Sequence, residues 1–139
     1  MRTTPGSIWT ICKSAIDSRP GTYFIEEAQI QAFAAEFDPQ PFHLDESGGW
    51  LTAAVAMRLL VDGGLPFAHG IVGQGGEITW PRPTRPGDTL HVESEIVEIR
   101  PSRSKPQQGI VTVRSTMLNQ GGEAVYLLTA KLLVLRRSI

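Results

Sequence analysis

The sequence predicts one α+β domain, residues 1–139, in which a single apolar helix precedes a long antiparallel meander. Three observations lead there. The stretch 49–61 is apolar almost all the way round, as a helix buried on most sides would be. Residues 90–99, 109–119 and 124–135 each read as a long strand. The connections between those strands are short, and one of them, Asn119-Gln120-Gly121-Gly122, is a hairpin signal. A chain of 139 residues is also long enough to bury a core without disulfide or metal support.

Residues 1–20 form an irregular N-terminal segment, with Pro5, Gly6 and Pro20 as breakers. Thr22-Tyr23-Phe24-Ile25 reads as a short strand, rich in aromatic and β-branched residues. A helix starts near Glu26-Glu27, whose charges suit the positive end of its dipole. Ile30, Phe33, Ala34 and Phe37 share its apolar face. It must stop near Asp38, because a residue before proline is pushed out of the helical region. The helix over 49–61 carries alanines that allow close approach by a sheet, and Gly63-Gly64 and Pro66 end it. Glu77-Ile78-Thr79-Trp80 is a further strand, ended by Pro81 and Pro83. The alternation of Val111, Val113, Ser115 and Met117 with Thr112, Arg114 and Thr116 marks a half-buried strand. The last strand is apolar on both faces in places, as suits a central strand or one at a subunit contact.

Composition excludes several classes. Hydrophobic residues make up 41% and charged ones 19%, which is globular and not disordered. Thirteen basic against fourteen acidic residues leave a net charge of −1, without the basic excess of a nucleic-acid binder. The longest apolar stretch, 51–61, is broken by Thr52 and Arg58 and is too short to span a bilayer, so no membrane partner is expected. No signal peptide is evident at the N-terminus, and the lone Cys12 cannot form an internal disulfide; a cytoplasmic setting is the plain reading.

Few places can carry chemistry. His69 and His91 have no partner at metal-ligand spacing, Gly73-Gln74-Gly75-Gly76 lacks the ending of a phosphate loop, and no serine-hydrolase elbow occurs. What remains is Asp38-Pro39-Gln40-Pro41-Phe42-His43-Leu44-Asp45. Two prolines stiffen this turn, and a stiff turn can hold Asp38 and His43 toward one cavity, where the pair could position a water and move protons near neutral pH. The same residues also suit an ordinary turn, since Asp before Pro is a common turn former and a lone His is often a satisfied loop residue.

The stretch from Phe33 to Asp45 resembles the hydratase motif of the MaoC-like enoyl-CoA hydratases, in which Asp and His stand five residues apart and are followed by Leu-Asp. Gly49-Trp50-Leu51-Thr52-Ala53-Ala54 is similar to the start of their central helix. The run Trp80-Pro81-Arg82-Pro83-Thr84-Arg85-Pro86-Gly87-Asp88-Thr89-Leu90 resembles their proline-rich turn into a long strand, a mark of the fold rather than of the reaction. The similarity covers about Tyr23 to Leu135.

The resemblance implies a hot-dog fold, with a long antiparallel sheet wrapped around the central helix and two subunits joined edge to edge as a homodimer or a higher homo-oligomer. It implies reversible hydration of a trans-2-enoyl thioester to an (R)-3-hydroxyacyl thioester, the water activated by Asp38 and His43. A backbone N–H at the helix N-terminus would stabilise the charge developing on the thioester oxygen, with Gly49 the first candidate and Gly48 the second. No cofactor is implied beyond the coenzyme A of the acyl-CoA substrate. Its phosphates would meet a basic cluster, for which Arg103 and Lys105, beside Arg100, are candidates, with Arg82 and Arg85 in a second turn; either turn could equally be a solvated one.

Two features depart from the family pattern. Only Glu46-Ser47-Gly48 separates Asp45 from the central helix, which implies a trimmed lid or a piece of chain missing from this stretch. Ala54 stands where (R)-specific hydratases can carry a serine that bonds the catalytic Asp. The alternatives on the same fold are a non-catalytic acyl-thioester-binding or assembly subunit, and a thioesterase. The second is opposed by the lack of any Asp or Glu between Trp50 and Val61.

Overall fold

A computed structural model describes residues 21–40, 48–64 and 72–135 of the chain. Its elements are β1 (Tyr23–Phe24), α1 (Glu27–Phe37), α2 (Gly49–Leu59) with a π turn (Leu60–Gly64), β2 (Val72–Thr79), β3 (Thr89–Pro101), β4 (Gln108–Leu118) and β5 (Ala124–Leu135). The N-terminal segment with Cys12, the turn residues 41–47 with His43, and His69 lie outside the described residues.

The strands form one five-stranded sheet in the order β1-β3-β4-β5-β2, every neighbour antiparallel. Short turns make β3, β4 and β5 a meander, because a brief connection leaves the returning strand no other edge to pair with. β5 therefore runs between β4 and β2, which accounts for its apolar residues on both faces.

Period-2 alternation sends Leu90, Val92, Ser94 and Ile96 of β3 to the same face as Met117, Ser115, Val113 and Val111 of β4. A bulge between Ile96 and Glu98 inserts Val97, so that Ile99 stays on that inner face opposite Val111. Glu95 and Arg114 are paired on the outer face at 3.0 Å, where both are solvent-exposed and the ion pair contributes little.

α2 lies on the inner face of the sheet and buries Leu51, Val55, Ala56 and Leu59 with Leu90, Val92, Met117 and Tyr126. Its all-round apolar sequence is not matched by all-round burial. Trp50 and Val61 are each 64% exposed and Met57 is 44% exposed, because the sheet covers only one side of the helix. In α1, Ile30 is buried as expected but Phe37 is 66% exposed, packing on Phe33 with ring centroids 5.0 Å apart. The strand expected at 77–80 is longer and starts at Val72. Gly73, Gly75 and Gly76 carry no strand signal of their own, and it is pairing with β5 that makes them a strand.

The proline-rich turn ties the sheet end together. The Asp88 carboxylate accepts the Arg85 backbone N–H at 2.9 Å and the Gln120 side-chain amide at 3.1 Å. Gly87, at φ +90°, donates its N–H to the Ile25 carbonyl, and Ile25 donates to the Asp88 carbonyl. Asp88→Ala is expected to destabilise the fold by about 1–3 kcal/mol, because it strands two donors at a buried turn. A urea unfolding curve would measure it. Among the described residues no helix is long and apolar enough to cross a membrane.

Candidate active site

The N-terminus of α2 is the positive end of the helix dipole. Gly48 precedes it in an extended conformation, no side chain among the described residues caps it, and its first turn holds no acidic residue, so the positive end of the dipole is not neutralised within the helix. The Trp80 indole N–H donates to the Gly49 carbonyl at 3.0 Å. A Cβ on Gly49 would stand 2.8 Å from Trp80 Cε2, which is why a residue without a side chain is needed at this point. Trp80 also meets Trp50 edge-on, with centroids 5.7 Å apart, and Tyr126 at 6.5 Å. Both tryptophans thus pack around the helix start. Thr52, buried, donates its hydroxyl to the Gly48 carbonyl at 3.1 Å and lies 3.4 Å from the Thr84 hydroxyl, anchoring the helix to the proline-rich turn.

Asp38 ends α1, where the following proline stops the helix. Its backbone N–H donates to the Ala34 carbonyl at 2.8 Å, and its half-buried carboxylate accepts the Gln40 side-chain amide at 2.5 Å. Gln40, between the two prolines, is a partner of Asp38 that the motif pattern does not single out. Its spacing from Asp38 is the one available signal, since a side chain two residues on in a stiff turn can reach back. His43 lies outside the described residues. Ala54 is exposed on α2.

Beneath α2 runs a cavity of about 360 Å³. The helix contributes Ala53 and Met57, the π turn after it Leu60, β2 contributes Gly73, Gly76 and Ile78, and inner-face residues of β4 and β5 complete the wall. The glycines leave the space: where β2 crosses the helix, side chains that would fill it are missing. The cavity begins one helical turn from the α2 N-terminus, roughly 6 Å along the axis.

Arg103 and Lys105 are not brought to this end. They are exposed in the β3–β4 turn, whereas Thr79, next to Trp80, aligns through Leu127 and Thr116 with Glu93. Eight residues of strand separate Glu93 from Pro101, roughly 26 Å, and Arg103 lies in the turn beyond, because β3 runs nearly the full length of the sheet. Arg82 and Arg85 instead stand in the turn beside Trp80; the Arg82 side chain is exposed and 3.6 Å from Glu123.

Residues 15–128 match the family model described as the FAS1-like dehydratase domain region. A MaoC-like dehydratase from Rhodospirillum rubrum, solved by crystallography, is 52% identical with a TM-score of 0.83, over 86% of this chain and 90% of that one. The R-hydratase PhaJ1 from Pseudomonas aeruginosa, in its unliganded form, is 24% identical with a TM-score of 0.62, over 88% and 84% of the two chains. The uncharacterized protein YdeM of Bacillus subtilis is 29% identical over 69% of this chain and 76% of its own. The antiparallel sheet curled around one helix is the hot-dog fold.

Proposed function

Since the chain belongs to the MaoC-like dehydratases, we propose that it hydrates the trans-2 double bond of an enoyl-CoA, reversibly, to an (R)-3-hydroxyacyl-CoA. The observation that carries this reading is the cavity of about 360 Å³ that starts one turn from a helix N-terminus to which no side chain among the described residues is bonded as a cap. It offers an acyl chain an apolar slot while its thioester carbonyl meets the backbone N–H of Gly49, with Gly48 second.

Asp38 and His43 hold one water between them. Its oxygen bonds to C3, one of its protons passes to the pair, and the C2–C3 π electrons shift toward the thioester, whose oxygen takes on negative charge. The helix N-terminus stabilises that charge. A proton then returns from the pair to C2, restoring the thioester and leaving the pair as it began; dehydration runs the same steps backward. Near neutral pH a carboxylate and an imidazole suit both halves of this exchange.

A thioesterase is disfavoured because α2 carries no Asp or Glu to direct water at the carbonyl carbon. For the nucleotide phosphates, Arg82 and Arg85 are better placed than Arg103 and Lys105, being at the helix end of the sheet. β2 is an edge strand, mostly exposed, and we assign it to edge-to-edge pairing with a second copy, as a homodimer or part of a higher oligomer.

The test is loss of enoyl-thioester absorbance on mixing the protein with crotonyl-CoA and medium-chain enoyl-CoAs, with the product's configuration determined. Formation of the (R)-3-hydroxyacyl thioester is expected. No hydration of any of them would replace this reading with that of a non-catalytic acyl-binding subunit.

A further inference from the structure

The cavity under α2 is apolar except at two points. Tyr126 lines it and is 3% exposed, yet its hydroxyl has no hydrogen-bond partner among the described residues. Buried tyrosine hydroxyls ordinarily find one. A phenol is a proton donor at neutral pH, and burial pushes its pKa further upward. The second point is Ser115, 1% exposed, whose Oγ meets Ser94 Oγ at 2.7 Å. One proton serves the bond between the two hydroxyls; with Ser94 as its donor, the Ser115 proton is left for an acceptor in the cavity, and the shared bond polarises it.

The register sets both groups on one wall. Tyr126 stands opposite Met117, and Ser115 is the next inward residue of β4, diagonal to it. Tyr126 touches Trp80 close to the α2 N-terminus, while Ser115 falls in the row of Leu128 and Ile78, a step deeper. A purely aliphatic acyl chain would cover both donors and leave them without acceptors, at a cost in binding. No charged side chain lines the cavity among the described residues, so a chain ending in a carboxylate or an ammonium is a poor fit.

Resting on the hydratase reading, we propose that the preferred acyl chain carries a neutral oxygen, as a hydroxyl or a keto group, within a few carbons of the reacting double bond. Tyr126 Oη and Ser115 Oγ donate to that oxygen. Selectivity for chain chemistry then comes from two hydroxyls in the slot, and selectivity for length from the glycines of β2.

The test compares matched trans-2-enoyl-CoAs that differ by one atom: 5-hydroxypentenoyl against hexenoyl, 4-hydroxybutenoyl against pentenoyl, and 5-oxohexenoyl as the keto member. In the unaltered protein, kcat/KM is expected to favour an oxygenated chain over its aliphatic match by about tenfold. Tyr126→Phe and Ser115→Ala should each shrink that ratio, and the double variant should reverse it. The readout is a ratio within each pair, so a general loss of activity does not imitate it. Tyr126→Phe removes a buried hydroxyl that has no partner among the described residues, so its melting temperature should hold or rise, whereas a structural hydroxyl would lower it. An aliphatic preference throughout, or a ratio that neither variant moves, would overturn the proposal and leave the hydratase reading standing. Failure to hydrate any of these thioesters would overturn the hydratase reading, and this proposal with it.

Discussion

Asp38→Asn is expected to lower enoyl-CoA hydration by roughly 10²- to 10⁴-fold without unfolding the protein. The substitution removes the negative charge and the proton acceptor but keeps an oxygen that can still accept the Gln40 amide, so the turn keeps its geometry. Neither the Ala34–Asp38 backbone bond nor the proline that ends α1 depends on that charge. His43→Ala should cause a loss of similar size, since the proposed mechanism needs both groups on one water. Steady-state rates with crotonyl-CoA, beside melting curves of both variants, would check this. Near-normal turnover in either variant would move the reaction away from this turn.

Gly76→Ala should have the largest effect on the architecture of the site. An added Cβ would stand 2.4 Å from the Thr129 carbonyl oxygen and 2.9 Å from Ala130 Cα, both backbone atoms of the neighbouring strand. Neither can swing aside as a side chain would. β2 must then shift from β5, at about 1–3 kcal/mol, lowering the melting temperature by roughly 3–10 °C. Because Gly76 also walls the cavity, KM for chains that reach it should rise. Gly73→Ala is the matched control: it lines the same cavity, but its Cβ would meet nothing within 4 Å, and stability should change little. Equal melting temperatures for the two variants would show that β2 is not held by this close approach.

Whatever depends on neighbours along the chain is legible in the sequence. Pro39 ends α1 at the expected residue, because the restriction it places on Asp38 acts across one peptide bond. The alternation of β4, the turn residues from Asn119 to Gly122 and the interior place of β5 follow from short-range patterns in the same way. The Asp38–His43 spacing is local too, which is why the pair stands out in the linear chain.

Other features require the tertiary arrangement. β2 extends back to Val72 through glycines because β5 supplies the hydrogen bonds, and no pattern in Gly73-Gln74-Gly75-Gly76 announces a partner that lies more than fifty residues away. The apolar circumference of α2 does not reveal that the sheet covers one side only, since hydropathy records the preference for burial and not the supply of covering surface. Arg103 and Lys105 suit a basic cluster by their spacing, but the length of β3 carries them to the far end of the sheet. Tyr126 and Ser115 read as ordinary members of alternating strands; only antiparallel register, with α2 laid across it, sets both residues on the wall of one cavity. The elements and the Asp38–His43 spacing can be recognised in the chain because they rest on residues a few positions apart. The cavity, its two hydroxyls and the close approach at Gly76 emerge only in the folded molecule, because each depends on atoms that meet after distant strands have paired.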